Sequence, residues 1–211
     1  MIVHGKGVMS GYYKKPDESR DSLTPEGGLR TGDIGRIDED GYLYITGRVK
    51  ELYKLENGKY VAPVPLEERV ALSPYIQQCA VYGANRPYNV ALIVPDLTAL
   101  AAWAKQNGIE AEGEALLSES RVQTLLEGEI DSANERFKGF ERIQRFVLEA
   151  EEFTPTNGML TPTLKFKRRK FNERYEAVLE SLYPPAADAE AAPRVSYIRE
   201  LKPTGAVKTG S

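Results

Sequence analysis

Two β-prone apolar runs, residues 78–82 (QCAVY) and 90–94 (VALIV), are separated by a short connection that contains Gly83-Ala84-Asn85-Arg86-Pro87. A connection this short cannot hold the crossover that parallel strands need, so the two runs pair antiparallel. Their nearly unbroken apolar character marks them as buried. Helical signals follow. Asp96 is placed to cap a helix running to Gln106 and ended by Asn107-Gly108. Val122, Leu125, Leu126, Ile130, Ala133 and Phe137 recur at helical spacing along a longer helix closed at Gly139. Residues 143–148 supply another strand, and residues 172–182 a terminal amphipathic helix.

Upstream, residues 1–47 are dense in glycine and turn formers and read as strands and loops. Residues 34–37 and 42–45 flank Asp38-Glu39-Asp40-Gly41 as a hairpin, with Leu43 and Ile45 on one face and Tyr42 and Tyr44 on the other. A second hairpin joins residues 51–55 and 59–62 through Glu56-Asn57-Gly58, because Asn-Gly supplies the positive φ angles of a tight turn. Pro65 fits the first turn of a helix that continues over residues 66–72 until Ser73-Pro74. The expected class is α+β, a small sheet with packed helices. From Pro184 the chain shifts to PPAADAEAAP and ends in KTGS, with too little apolar area to offset ordering, so residues 184–211 are expected to form a flexible tail.

Composition removes several functions. At 41% hydrophobic and 28% charged residues over 211 positions, the chain is globular rather than disordered. No apolar run approaches the ~18 to 20 residues that span a bilayer, and no signal peptide opens the sequence, so a cytoplasmic setting is expected. One cysteine, Cys79, and one histidine, His4, permit neither an internal disulfide nor a Cys/His metal cage. With 28 Lys+Arg against 31 Asp+Glu and a net charge of −3, general nucleic-acid binding is not expected. Any basic patch must be local.

Four places carry residues suited to chemistry. Gly5-Lys6-Gly7-Val8-Met9-Ser10-Gly11 lacks the spacing of a dinucleotide fingerprint or a phosphate loop, so most of any nucleotide site must lie elsewhere. Asp33, in Thr31-Gly32-Asp33, can accept hydrogen bonds from both vicinal hydroxyls of a ribose, or can organise its own turn. In Gly47-Arg48-Val49-Lys50, Arg48 can hold a ribose or phosphate oxygen and Lys50 can act as a backbone pivot; alternatively both are solvated cations on a connector. In LTPTLKFKRRK, residues 160–170, an extended conformation would anchor Leu164 and Phe166 and present Lys165 on the opposite side. One lysine so presented can neutralise anions that must approach each other, such as a carboxylate attacking a phosphate. The other readings are a solvated start to the last helix or an RNA patch, the latter weakened by sparse aromatic interleaving.

In order, GVMSGYYKKPDES, LRTGDIGRIDEDGYLYITGRVKELYKLENGKYVAPVPLEE and NGMLTPTLKFKRRKF resemble three motifs in the C-terminal part of the AMP-forming acyl-CoA synthetases, whose superfamily includes adenylation domains and luciferases. The forms KLENGKYVAP and LTPTLKFKRR are similar to those of long-chain fatty-acid–CoA ligases. The resemblance covers about residues 2–183. It implies that a carboxylate and ATP give an acyl-adenylate and pyrophosphate, after which coenzyme A displaces AMP. It also implies the end of a large N-terminal domain at residues 1–46, a hinge at 47–50 and a small lid domain at 51–183.

By match to those motifs, Asp33 would accept hydrogen bonds from the AMP ribose, Arg48 would sit near ribose and phosphate, and Lys50 would be the hinge. Lys165 would be the adenylation lysine, and Asn57 and Gly58 would line the coenzyme A path. Lys50 stands where many relatives carry aspartate. ATP/AMP, coenzyme A and fatty acid are the implied small molecules, with Mg²⁺ carried by ATP and the complete enzyme able to associate peripherally with membranes. The family's phosphate loop, adenine-binding stretch and acyl tunnel match nothing in this sequence, so the isolated chain is expected not to make acyl-CoA. The rivals are a non-catalytic interaction module derived from such a lid, half of a split enzyme acting in trans, and an RNA-binding α+β domain using residues 165–170.

Overall fold

Every side chain along residues 90–94 is buried, because consecutive positions of one central strand serve opposite layers of core. The computed structural model describes residues 1–185, 188 and 191–200. It opens with β1 (Ile2–Val3), α1 (Pro16–Ser22) and β2 (Leu29–Arg30), continues through β3 (Asp33–Ile37) and β4 (Leu43–Arg48), and passes a 3-10 turn at Val49–Glu51. Next come β5 (Tyr53–Lys54), β6 (Tyr60–Val61), α2 (Pro63–Val70), β7 (Ile76–Tyr82), β8 (Asn89–Pro95) and α3 (Leu97–Gln106). After α4 (Ser120–Asn134) and β9 (Ile143–Leu148) come α5 (Arg168–Glu180) and β10 (Val195–Tyr197).

The main sheet runs β10-β9-β8-β7, antiparallel between β7 and β8 and parallel between β8 and β9 and between β9 and β10. Ala91, Ile93 and Phe146 join Leu66, Val70, Leu100, Leu126 and Ile130 on the face covered by α2, α3 and α4. Val90, Leu92, Val94 and Val147 join Phe171, Tyr175 and Leu179 on the face covered by α5. Two buried faces explain why β8 reads as continuous rather than alternating hydrophobicity. This is the mixed α and β architecture expected.

Both hairpins form where expected: β3 pairs with β4, and β5 with β6. Asp96 caps α3, its carboxylate accepting from the Ala99 N–H at 2.9 Å.

Several expectations are corrected. α1 interrupts the presumed strands and loops of residues 1–47; Pro16 at its start, with Asp17 and Glu18 in the first turn, suits a helix N-terminus. α2 holds Pro65 in its first turn, as expected, but ends at Val70, short of Leu72. α4 stops at Asn134, short of Phe137 and Gly139, because the Asn134 amide bonds both the C=O and N–H of Ile143, at 2.9 and 3.0 Å, and turns the chain into β9. α5 starts at Arg168, ahead of Asn172. The flexible tail from Pro184 fails at Val195–Tyr197, which is buried as β10, with Val195 in register with Phe146. The rest of that expectation, at residues 186–187, 189–190 and 201–211, lies outside the described residues.

Candidate functional site

Asp33 opens β3 directly opposite Arg48 at the end of β4. Antiparallel register therefore brings these residues together, and Arg48 Nε donates to Asp33 Oδ1 at 2.8 Å. The Asp33 carboxylate is mostly covered, at 19% exposure, while Arg48 is 61% exposed. Gly32, at φ +75°, makes the bend before Asp33, and its carbonyl accepts from Val49 N–H at 2.8 Å. The Asp33 N–H in turn donates to Thr31 Oγ1 at 3.0 Å, so the whole tripeptide is fixed.

Lys50 lies in the 3-10 turn that follows and is exposed. Gly47 precedes that turn buried at φ +153°, where an added Cβ would stand 3.2 Å from Ala62 Cβ. Beyond the turn, the second hairpin is tight. Asn57 Oδ1 accepts from Lys59 N–H at 3.0 Å and Gly58 sits at φ +83°. The hairpin is stitched to the β7–β8 connection: Asn85 N–H donates to Lys54 C=O at 2.8 Å, and Glu56 N–H to Arg86 C=O at 3.0 Å.

Lys165 sits on a reverse turn rather than an extended strand. Thr161 closes it: its N–H donates to Lys165 C=O at 2.8 Å, and its Oγ1 accepts from Lys165 N–H at 2.9 Å. Leu164 was expected to anchor the segment, yet it is 69% exposed and held at φ +60°, because the turn points it outward. Phe166 does anchor, against Phe153 and Phe171 at centroid distances of 5.4 and 5.3 Å. Lys165 is exposed, and its ammonium has no hydrogen-bond or ion-pair partner among the described residues. The structure brings Asp33 and Arg48 together but joins neither to Lys165 by a hydrogen bond.

Two residues not singled out from sequence hold this region. Arg168 forks onto Glu67, Nη2 lying 2.8 and 2.9 Å from its two carboxylate oxygens, and donates through Nη1 to Val81 C=O at 2.9 Å. Glu67 Oε1 accepts from Val81 N–H at 2.8 Å. Burial pushes the Glu67 carboxyl upward, and the Arg168 charge opposes that shift. In the sequence Arg168 was one of five cations in a run, with nothing to single it out. A cavity of about 220 Å³ is walled by Lys50, Glu51, Tyr53, Gly83, Arg168 and Asn172, joining the Val49–Glu51 turn to Arg168. Among the described residues no cluster of acidic, histidine or cysteine side chains could hold a metal, and no helix is long and apolar enough to cross a membrane.

Residues 51–187 match the AMP-binding enzyme C-terminal domain, and the chain belongs to that family. The chain is 34% identical over 189 residues to fatty acyl-CoA synthetase A of Dictyostelium discoideum, matching 87% of this chain and 28% of that protein. It is also 34% identical over 186 residues to long-chain-fatty-acid–CoA ligase 1 of Homo sapiens, matching 87% of this chain and 27% of the ligase. It thus spans under a third of the curated relatives. Among solved structures, the A domain of carboxylic acid reductase from Segniliparus rugosus, in complex with AMP and a co-purified carboxylic acid, superposes with a TM-score of 0.68 at 30% identity. That match covers 90% of this chain and 28% of the reductase chain.

Proposed function

We propose that this chain is the lid portion of a long-chain acyl-CoA synthetase that supplies Lys165 to a cleft built by a larger N-terminal region. The observation that carries this reading is the unpartnered Lys165 ammonium, exposed on a residue whose backbone is fixed by Thr161 at the closing end of the turn. Fatty carboxylate and ATP are both anions. A mobile ammonium inserted between them lowers the cost of charge build-up in the transition state, and such a donor is typically worth ~2.7 to 4 kcal/mol. Its withdrawal then frees space for the coenzyme A thiol.

In this reading Asp33 keeps Oδ2 available for a ribose hydroxyl while Oδ1 is held by Arg48. Arg48, largely exposed, turns its remaining guanidinium donors toward ribose and phosphate. Lys50 is the pivot between the Asp33–Arg48 hairpin and the lid at residues 51–183. Asn57 and Gly58 line the coenzyme A path, where a residue without a side chain permits close approach of backbone to the pantetheine arm. Mg²⁺ arrives with ATP, and the setting is cytoplasmic.

The test mixes the 211-residue chain with a separately produced region of a relative that carries the phosphate loop, and follows fatty-acid-dependent pyrophosphate release. Activity is expected from the mixture and from neither part alone. Binding without turnover would support the interaction module instead, and release by this chain alone would overturn the lid reading.

A further inference from the structure

We infer that Arg168, clamped by Glu67, is a positioning residue that sets where the Lys165 turn stands on the lid; the catalytic consequence rests on the role proposed above for Lys165.

The pair links the layers that cover opposite faces of the main sheet. Glu67 is on α2, packed on one face of the main sheet, and Arg168 begins α5 on the other. β7 is the edge strand between them. An edge strand leaves outward N–H and C=O groups without a neighbouring strand. At Val81 both are taken up, the N–H by Glu67 and the C=O by Arg168, so the ion pair occupies the place of a further strand.

The pair is mostly covered, with 25% exposure at Arg168 and 13% at Glu67. Buried ion pairs add little net stability once desolvation is counted, and their best-attested value is to select one arrangement. Here that arrangement is the path of residues 159–168. Arg168 is fixed on Val81 and Glu67, and its guanidinium lies 5.2 Å from the Phe166 ring centroid. Lys167 N–H donates to Met159 C=O at 2.9 Å. Lys165, three residues before the clamp, therefore starts from a fixed backbone although its own side chain is free. Arg168 also walls the cavity that Lys50 and Glu51 share, so the clamp stands beside the proposed pivot and can carry its rotation to the lysine. Misplacement of a reacting group by about 1 Å costs roughly 10²-fold in rate, which makes such a fixed origin consequential.

The experiment compares the wild-type chain with Arg168→Lys, which keeps the charge and loses the fork, and with Glu67→Gln, which keeps the shape. In the 211-residue chain, amide hydrogen exchange at Thr161, Leu164, Lys165 and Lys167 is expected to quicken about 10-fold in either variant, while Ala91, Leu92 and Ile93 in the sheet stay protected. Unchanged exchange in the turn, or equal loss of protection in turn and sheet, would overturn the clamp. In the reconstituted ligase, adenylate formation is expected to fall about 10-fold, with acyl transfer from preformed adenylate to coenzyme A unchanged. The double variant should be no worse than the poorer single one. An equal fall in both half-reactions would overturn the positioning role. Wild-type reconstitution without any adenylate formation would sink the proposed function, while the exchange result would still decide whether the clamp exists.

Discussion

Arg48 Nε donates to Asp33 Oδ1 at 2.8 Å across the last register pair of the β3–β4 hairpin. Two residues fifteen positions apart thus form one polar unit ahead of the Val49–Glu51 turn. Their separate contributions can be distinguished. Arg48 is 61% exposed, so its ion pair should add under about 1 kcal/mol to folding, and Arg48→Ala should barely move the urea midpoint. Asp33→Asn should act on nucleotide instead. Losing charge-assisted hydrogen bonds worth about 1.5 to 3 kcal/mol should raise the KM for ATP in the reconstituted ligase about 10- to 100-fold, read by initial-rate kinetics.

Asn89 is a fully buried polar side chain whose amide oxygen and nitrogen are both hydrogen-bonded. Its Nδ2 donates to Phe140 C=O at 3.1 Å and to Glu141 C=O at 2.8 Å, and its Oδ1 accepts from Tyr53 OH at 2.7 Å. Asn89→Leu should strand those partners without water and cost about 2 to 4 kcal/mol. Tyr53→Phe, which leaves one acceptor unmet, should cost about 1 to 2 kcal/mol. Chemical denaturation of the three proteins checks the order.

β10 makes a sharp claim about residues beyond the matched domain. Tyr197 is 5% exposed, and its hydroxyl donates to Glu114 Oε2 at 2.9 Å. Arg194 forks onto Asp131 at 2.7 and 3.0 Å and pins the approach to the strand. Tyr197→Ala should therefore cost about 3 kcal/mol by urea denaturation, as expected for an aromatic removed from a packed site. A loosely attached segment would show no change.

Alkaline pH should loosen two buried phenols. Burial, and then the hydrogen bond to Glu180 at 2.6 Å, pushes Tyr82 up to about 12. Burial and the Glu114 hydrogen bond likewise raise Tyr197 to about 12. Both native phenols hold their protons where the unfolded ones would lose them. Their contribution to stability is complete below about pH 10 and declines as pH rises toward 12. Absorbance titration at the tyrosinate band should show a late phase that shrinks in Tyr82→Phe.

The hairpins, the β7–β8 pair and the Asp96 cap were legible because each depends on neighbours in sequence: a turn tetrapeptide, a short connection, a carboxylate three residues before the amide it accepts. Asp33, Arg48 and Lys165 were legible as candidates because their surrounding motifs are local too. Glu67 and Arg168 were not, since their pairing spans 101 residues and neither flank announces it. β10 was missed for a related reason. Three residues offer little on their own and become a strand only against the open edge of β9, about fifty positions earlier. The Lys165 turn was misjudged as extended because alternation of Leu164, Lys165, Phe166 and Lys167 imitates a strand, whereas the Thr161 hydroxyl and backbone capture Lys165 first.

The most direct measurement is Lys165→Ala in the reconstituted ligase, with the two half-reactions followed separately. Fatty-acid-dependent ATP–pyrophosphate exchange should fall about 10²- to 10³-fold, while preformed acyl-adenylate still passes its acyl group to coenzyme A at the wild-type rate. Exchange that continues at full speed without this ammonium would contradict the account.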